Sequence, residues 1–170
     1  MDSSEVIIKN GVTSIWGTAF GNCVNLQEVE LPISLDSLYN AFEGCTSLNK
    51  INLPKNLSYI GYNTFKNNKS LTSIIISNHL RHLDLSAFSG CEQLQTLEFN
   101  FGVHEISGSL SDCSNLKAIF FRGDFRYISD WGLTFYDCPK LEGVFVPKEY
   151  YELFLSKTPV KFQKYIQIEN

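Results

Sequence analysis

Five cysteines and three histidines are the residues of this 170-residue chain whose chemistry could reach beyond packing. A cysteine with histidines elsewhere in a sequence is the raw material of a thiol nucleophile. His79-x-x-His82, with His104 and Glu105 further on, offers imidazole and carboxylate donors of the kind zinc takes. The spacing argues against both. Cys23, Cys45, Cys91, Cys113 and Cys138 each stand three residues after an apolar residue (Phe20, Phe42, Phe88, Leu110, Phe135) and three before a leucine. All five therefore share one inward column, where apolar burial raises a thiol's pKa and leaves it inert. His82 falls in step with Tyr59, Glu105 and Tyr127 on an outward side, and His104 with Ser58, Arg81 and Arg126. Two arginines so placed would repel a cation, so a solvated polar surface is expected there and no metal. Asn56-Leu57-Ser58 and Asn68-Lys69-Ser70 match the glycosylation pattern. Asn68 stands in the cysteine column, where no glycan fits, whereas Asn56 reads as exposed. Glycine-rich phosphate loops, H-E-x-x-H, G-x-S-x-G and paired carboxylates do not occur. No catalytic residue, cofactor or metal site is expected.

The elements that place these residues are a repeat. Phe20, Phe42, Phe65, Phe88, Leu110 and Phe135 recur at intervals of 22 to 25 residues, followed at +3 by Cys23, Cys45, Asn68, Cys91, Cys113 and Cys138. At +6 stand Leu26, Leu48, Leu71, Leu94, Leu116 and Leu141. An alternating segment follows, with Val29, Ile51, Ile74, Leu97, Ile119 and Val144 first, and Leu31, Leu53, Ile76, Phe99, Phe121 and Val146 second. Two further columns hold Leu35, Leu57, Leu80, Val103 and Phe125, then Leu38, Ile60, Leu83, Ile106 and Ile128. Val6, Ile8, Val12 and Ile15 fill the matching slots of a partial first copy. Seven apolar columns in step specify a solenoid of six to seven coils.

Each unit has its own physics. Leu48-Asn49-Lys50-Ile51-Asn52-Leu53 alternates at period 2 and reads as a short strand with one inward face. Pro54 leaves the ladder, Leu57 to Ile60 is a second extended piece, and Gly61 to Lys69 turns back, as a turn of helix or 3₁₀, with Phe65 inward. Such a unit cannot bury its own apolar side and must stack on its neighbours. Seven strands about 4.8 Å apart give a slab about 30 Å long with a parallel sheet on one face. The coil entering Phe135 has two extra residues near Asp130-Trp131-Gly132. Trp131 either tops a protruding loop there or folds down as core. Cys23 with Cys45, and Cys91 with Cys113, come within bridging distance by stacking, yet free thiols are expected.

Ala41-Phe42-Glu43-Gly44-Cys45-Thr46-Ser47-Leu48-Asn49-Lys50-Ile51-Asn52-Leu53-Pro54 resembles the A-F-x-x-C-x-x-L-x-x-I-x-L-P hallmark of BspA-like leucine-rich repeats. Ala19-Phe20 and Ala87-Phe88 open two further close copies, and Val144-Phe145-Val146-Pro147-Lys148 leading into Tyr150 to Phe154 resembles the family's C-terminal cap. Leu110 for Phe, Asn68 for Cys, and Ser77, Asn100 and Arg122 for Pro depart from the pattern in packing only. The resemblance implies an α/β or mostly β solenoid: a right-handed superhelix with its parallel sheet concave. Residues 1–147 would form the coils, and 148–170 a capping helix (Lys148 to Ser156) and tail of the same domain. It further implies a non-catalytic interaction or adhesion module of a secreted or surface protein, with a protein or host-surface ligand.

A partner would meet the strands' outward columns. One reads Glu28, Lys50, Ser73, Thr96, Ala118, Gly143; the other reads Ile7, Glu30, Asn52, Ile75, Glu98, Phe120, Phe145. A solvent face has no need of two phenylalanines. They form either an exposed binding patch or a surface under the apolar tail, Phe162 to Ile168. Ile75, Glu98, Ala118, Phe120 and Phe145 are the candidate contacts. Val6, Ile7 and Ile8 read as an edge strand with unpaired backbone groups, suited to a longer array or to self-association. The net charge of −4 and pI near 5.3 disfavour a nucleic-acid partner, which requires a basic face. No apolar run reaches the roughly 20 residues of a membrane span, and the chain as written opens without a secretory signal.

Overall fold

The computed structural model describes residues 3–76, 79–99, 104–126, 130–131 and 133–169, with Asp130 and Trp131 described by their backbone. Ser77, Asn100, Val103, Tyr127, Ile128 and Gly132, which the repeat assigns to slots or to the insertion, lie outside these. The chain winds in successive coils, each a strand, a bend, a second shorter strand and a turn. The first coils carry β1 (Glu5–Ile7) and β2 (Ser14–Ile15), β3 (Glu28–Glu30) and β4 (Ser37–Leu38), then β5 (Lys50–Asn52) and β6 (Tyr59–Ile60). Next come β7 (Ser73–Ile76), β8 (His82–Asp84) and a 3₁₀ turn (Leu85–Phe88), followed by β9 (Thr96–Phe99), β10 (Glu105–Ser107) and β11 (Leu110–Ser111). The last coils hold β12 (Ala118–Phe121), β13 (Asp130–Trp131), β14 (Phe135–Tyr136) and β15 (Gly143–Val146). A 3₁₀ turn (Lys148–Tyr150), α1 (Tyr151–Lys157), α2 (Val160–Gln163) and β16 (Ile166–Ile168) close the chain.

All strand pairs are parallel and in repeat register, as in Val29↔Ile51 and Ile74↔Leu97. The expected single sheet is divided. The first strands of the coils form β1-β3-β5 and, separately, β7-β9-β12-β15-β16, while the second strands make an unbroken six-stranded ladder, β2-β4-β6-β8-β10-β13. The short second pieces hold the stack together where the longer strands part. The turn segment takes the expected 3₁₀ form at Leu85–Phe88, where Asp84 caps it through Ser86 N–H. A third strand pair, β11 with β14, replaces the turn at Leu110 and Phe135.

The inward columns make one continuous core. Phe20, Phe42, Phe65 and Phe88 stack with centroids 5.1, 5.8 and 5.7 Å apart, and Leu110 takes the same buried slot one coil on. The cysteine column is polar bonding as well as filler. Cys45, Cys91 and Cys113 each point Sγ at the carbonyl of the preceding coil's aromatic slot, Phe20, Phe65 and Phe88, at 3.0–3.2 Å. Asn68 does the same through Nδ2 to Phe42 O at 2.8 Å. The slot adds a side-chain donor to a carbonyl that already accepts a backbone N–H from three residues on (Cys45 N to Phe42 O at 3.4 Å), and Asn serves there as Cys does. Cys23 and Cys138 are only half-buried, so the column is inward throughout but fully enclosed only in its middle.

The residue before this slot has positive φ in every copy: Asn22, Gly44, Asn67, Gly90, Asp112 and Asp137. Only glycine, asparagine and aspartate enter that region readily. The two glycines have a second reason, because a Cβ on Gly44 or Gly90 would collide with the Oδ1 of Asn22 or Asn67 one coil before.

The insertion before Phe135 resolves in favour of the ladder. β13 pairs with β10, and Ile106↔Trp131 places Trp131 in the slot that the sequence assigns to Ile128. The spacing from Trp131 to Phe135 equals that from Ile106 to Leu110, so the extra residues precede Asp130. At the C-terminus the expected helical segment starts at Lys148 as a 3₁₀ turn and continues as α1. Phe154 of α1 packs edge-on to Phe121 and Phe125 at 4.9 and 5.4 Å. Phe162 of α2 meets Phe135 at 5.7 Å, and Gln163 ties the helices by bonding Leu155 O and Thr158 O.

Candidate binding surface

Alternation on β7, β9, β12 and β15 sends Ile74, Leu97, Ile119 and Val144 inward and leaves Ile75, Glu98, Phe120 and Phe145 facing out. The ladder register sets these four side by side, and β16 extends the row with Gln167. The tail thus lengthens the sheet instead of lying over it. Phe120 and Phe145 remain half-buried and stack at 5.0 Å with 17° between planes. Two small neighbours let them lie down. Ala118 is buried, and Gly143 is required, since a Cβ there would stand 2.9 Å from Phe145 Cζ. Ile75 is 62% exposed at the far end of the row.

Arg122, in a slot where other copies carry proline, crosses the Phe120 ring with its guanidinium 4.5 Å from the centroid. It donates Nη1–H to Glu98 Oε2 at 2.8 Å and Nε–H to Glu169 Oε1 at 2.7 Å. These carboxylates, Glu169 foremost, push the guanidinium's pKa further up, so it stays charged. The result is an apolar pair, Phe120 and Phe145, flanked by a Glu98–Arg122–Glu169 clamp, with Ile75 on the far side of Glu98. In the other half of the face Glu28 and Lys50 form an ion pair at 2.5 Å. All five candidate contacts therefore share one sheet face: Ile75 is exposed, Glu98, Phe120 and Phe145 are half-buried, and Ala118 is buried among them.

The second-strand sheet carries a feature that column reading divides. Trp16 lies tilted by 39° on Tyr39 at 4.7 Å, while Tyr39 stacks on Tyr59 at 4.3 Å and Tyr59 on His82 at 4.3 Å. His82 Nδ1 lies 3.0 Å from Glu105 Oε2. Trp16 and Tyr39 belong to one column, and Tyr59 and His82 to its neighbour. Gly61 joins them, because a Cβ there would meet Tyr39 Cδ1 at 2.9 Å and Tyr59 Cε1 at 3.0 Å. His82, expected on a solvated surface, is instead packed on a ring and paired. Among the described residues no three metal-ligating side chains converge.

The edge strand β1 leaves Ile7 72% exposed, with Val6 and Ile8 half-buried. Among the described residues no helix is long and apolar enough to cross a membrane. Asn56 is exposed and Asn68 fully buried, as their slots require.

The family model for the BspA type leucine rich repeat region matches in six copies, over residues 2–109 and 39–154. No curated protein matches the chain in sequence. Among solved structures, the pneumococcal vaccine antigen PcpA superposes with a TM-score of 0.74 at 18% identity, over 99% of this chain and 42% of that one. A leucine-rich repeat protein from Bacteroides ovatus gives 0.56 at 24% identity over 86% and 49%. The leucine-rich repeat protein TpLRR of T. pallidum gives 0.55 at 19% over 94% and 86%. The chain spans less than half the length of the first two.

Proposed function

The chain belongs to the BspA-type leucine-rich repeat family, generally one of interaction and adhesion modules, and from that premise we propose that it captures a protein ligand on the face of its long strands. Ile75, Glu98, Phe120 and Phe145 make the contact over the Ala118 floor. The stacked, half-exposed Phe120–Phe145 pair carries the reading. A phenylalanine edge has no polar atom to hydrate, and rigid aromatic anchors beside an arginine are the composition of binding hot spots. The ligand is a protein or host-surface molecule that brings an apolar group to the pair and polar groups to the clamp. A secreted or surface location fits a module of this kind. No chemistry is assigned to the site.

Peptides selected on the chain from a random display library provide the test. Most should lose binding on Phe120→Ser with Phe145→Ser, while the melting temperature falls by only a few degrees. Binders indifferent to both substitutions would refute the reading, and so would a collapse of the fold, which would place the rings in the core.

A second reading rests on the edge strand. β1 ends its sheet with Ile7 exposed, so the solenoid can continue there, as a further coil of a longer array or as a second copy. Concentration-dependent oligomers in light scattering that disappear on Ile7→Lys would support pairing of copies; a strict monomer would dismiss it.

A further inference from the structure

We propose that Cys113 and Cys138 form a redox-responsive thiol pair that closes to a disulfide when a low-molecular-weight disulfide reaches Cys138. Three observations converge on this pair. First, Cys138 has left the ladder. Where Cys45, Cys91 and Cys113 each reach a carbonyl of the preceding coil, Cys138 bonds Tyr136 O within its own coil at 3.3 Å, and its thiol stands near enough to that of Cys113 for each to shift the other's titration. Second, the backbones beneath are locked in register. Leu110 pairs with Phe135 and Ser111 with Tyr136, and Asp112 N–H donates to Tyr136 O at 3.2 Å. Adjacent parallel strands lie about 4.8 Å apart, inside the Cα range of roughly 4.4–6.8 Å that a disulfide spans. Third, the pair is accessible from one side. Cys138 is half-buried and lines an open depression of about 630 Å³ with Asp112, Ser114, Phe135 and Tyr165.

The neighbouring thiols lack this combination. Cys45 and Cys91 are, like Cys113, fully enclosed and held to a carbonyl; what the Cys113 pair adds is a half-buried partner that opens onto the depression. Protonation favours the same order of events. The nearby Cys113 thiol lowers the Cys138 pKa against its burial, while Cys138 and burial raise that of Cys113. The thiolate is the attacking species, so Cys138 reacts first. Its sulfur attacks one sulfur of an oxidant such as oxidised glutathione, forming a mixed disulfide and releasing one glutathione thiolate. Cys113 then yields its proton to water and attacks Cys138 Sγ, displacing the second thiolate. Two protein thiols lose two electrons and two protons, and one small disulfide becomes two thiols. The clasp joins the coil of β11 to that of β14, next to the capping helices. In an oxidising compartment it stands closed.

The full-length chain is equilibrated in glutathione buffers from reducing to oxidising, alkylated, and mapped by mass spectrometry. The expected product is a single Cys113–Cys138 cross-linked peptide, two hydrogens lighter, that reopens on return to reducing buffer. Cys45 and Cys91 should alkylate only after denaturation. Cys138→Ser should leave Cys113 unbridged and the circular dichroism unchanged. Five free thiols at the oxidising limit would overturn the proposal. So would a Cys91–Cys113 or Cys23–Cys45 bridge in place of this one, or a Cys138–glutathione adduct that never resolves.

Discussion

Asn68 is a direct test of what the cysteine column does. Its side chain is fully buried. Nδ2 donates to Phe42 O at 2.8 Å, while Oδ1 has no partner among the described residues. Replacement by cysteine, the residue at the equivalent slots of the other copies, keeps a donor aimed at Phe42 O and removes the buried acceptor. An unsatisfied buried polar atom costs about 1–3 kcal/mol, and exchanging an amide donor for a weaker thiol gives back under about 1 kcal/mol. Asn68→Cys should therefore stabilise by about 1 kcal/mol, which for a chain of this size raises Tm by about 2–4 °C. Asn68→Ala removes both polar atoms, leaves Phe42 O with only the long bond from Cys45 N–H at 3.4 Å, and opens a void. It should destabilise by about 1–3 kcal/mol. Thermal and urea unfolding with excess reductant, which prevents new bridges to Cys45 or Cys91, reads both variants. If cysteine destabilises as much as alanine, the slot is selected for something other than a carbonyl donor, and the bonding account of the column fails.

Gly44→Ala should cost about 1–3 kcal/mol in urea unfolding, from the left-handed backbone penalty and the displaced Asn22 side chain; Asn22→Gly in the same chain should recover part of the loss. Alkaline pH should weaken the fold. Burial pushes the Cys45 thiol up to about 11 and Cys91 to about 12, from 9.0. The unfolded chain therefore releases these protons first, and stability falls as pH rises from about 9 towards 12. Unfolding free energies at pH 8 and pH 10.5 should differ less in Cys91→Ala than in the unsubstituted chain.

Apolar columns are legible in a sequence because a coil must bury the same positions each time, and Phe20, Phe42, Phe65 and Phe88 announce them by type. The left-handed column is harder to see, since Asn22, Gly44, Asn67 and Asp112 share a backbone angle and no hydropathy. Trp131 misleads because Phe125 and Ile128 keep the usual interval of three. The strand register is counted back from Phe135, and it sets Trp131 against Ile106. The division between β5 and β7 has no counterpart in residue type. On the binding face, alternation places Phe120 and Phe145 outward correctly. What it cannot supply is Arg122 on the ring or Gln167 beside it, because both depend on a tail strand that pairs without belonging to the repeat.

The two sheets carry comparable ring stacks, and their chemistry separates their roles. Trp16, Tyr39, Tyr59 and His82 each end in a polar atom that water or Glu105 can satisfy, so that ladder is content at the surface. Its rings lie 4.3–4.7 Å apart and add cohesion where the second strands run unbroken. The Phe120–Phe145 stack has no polar end. One flank is held by Arg122 and Glu98, with exposed Ile75 beyond them, and the floor by Ala118 and Gly143. An apolar pair in that position lowers the free energy of the isolated chain by nothing it could not gain from polar residues in the same slots. Its energetic return comes when a partner removes it from water, at roughly 25 cal/mol per Å². That difference supports the proposed recognition on the long-strand face, with cohesion on the other.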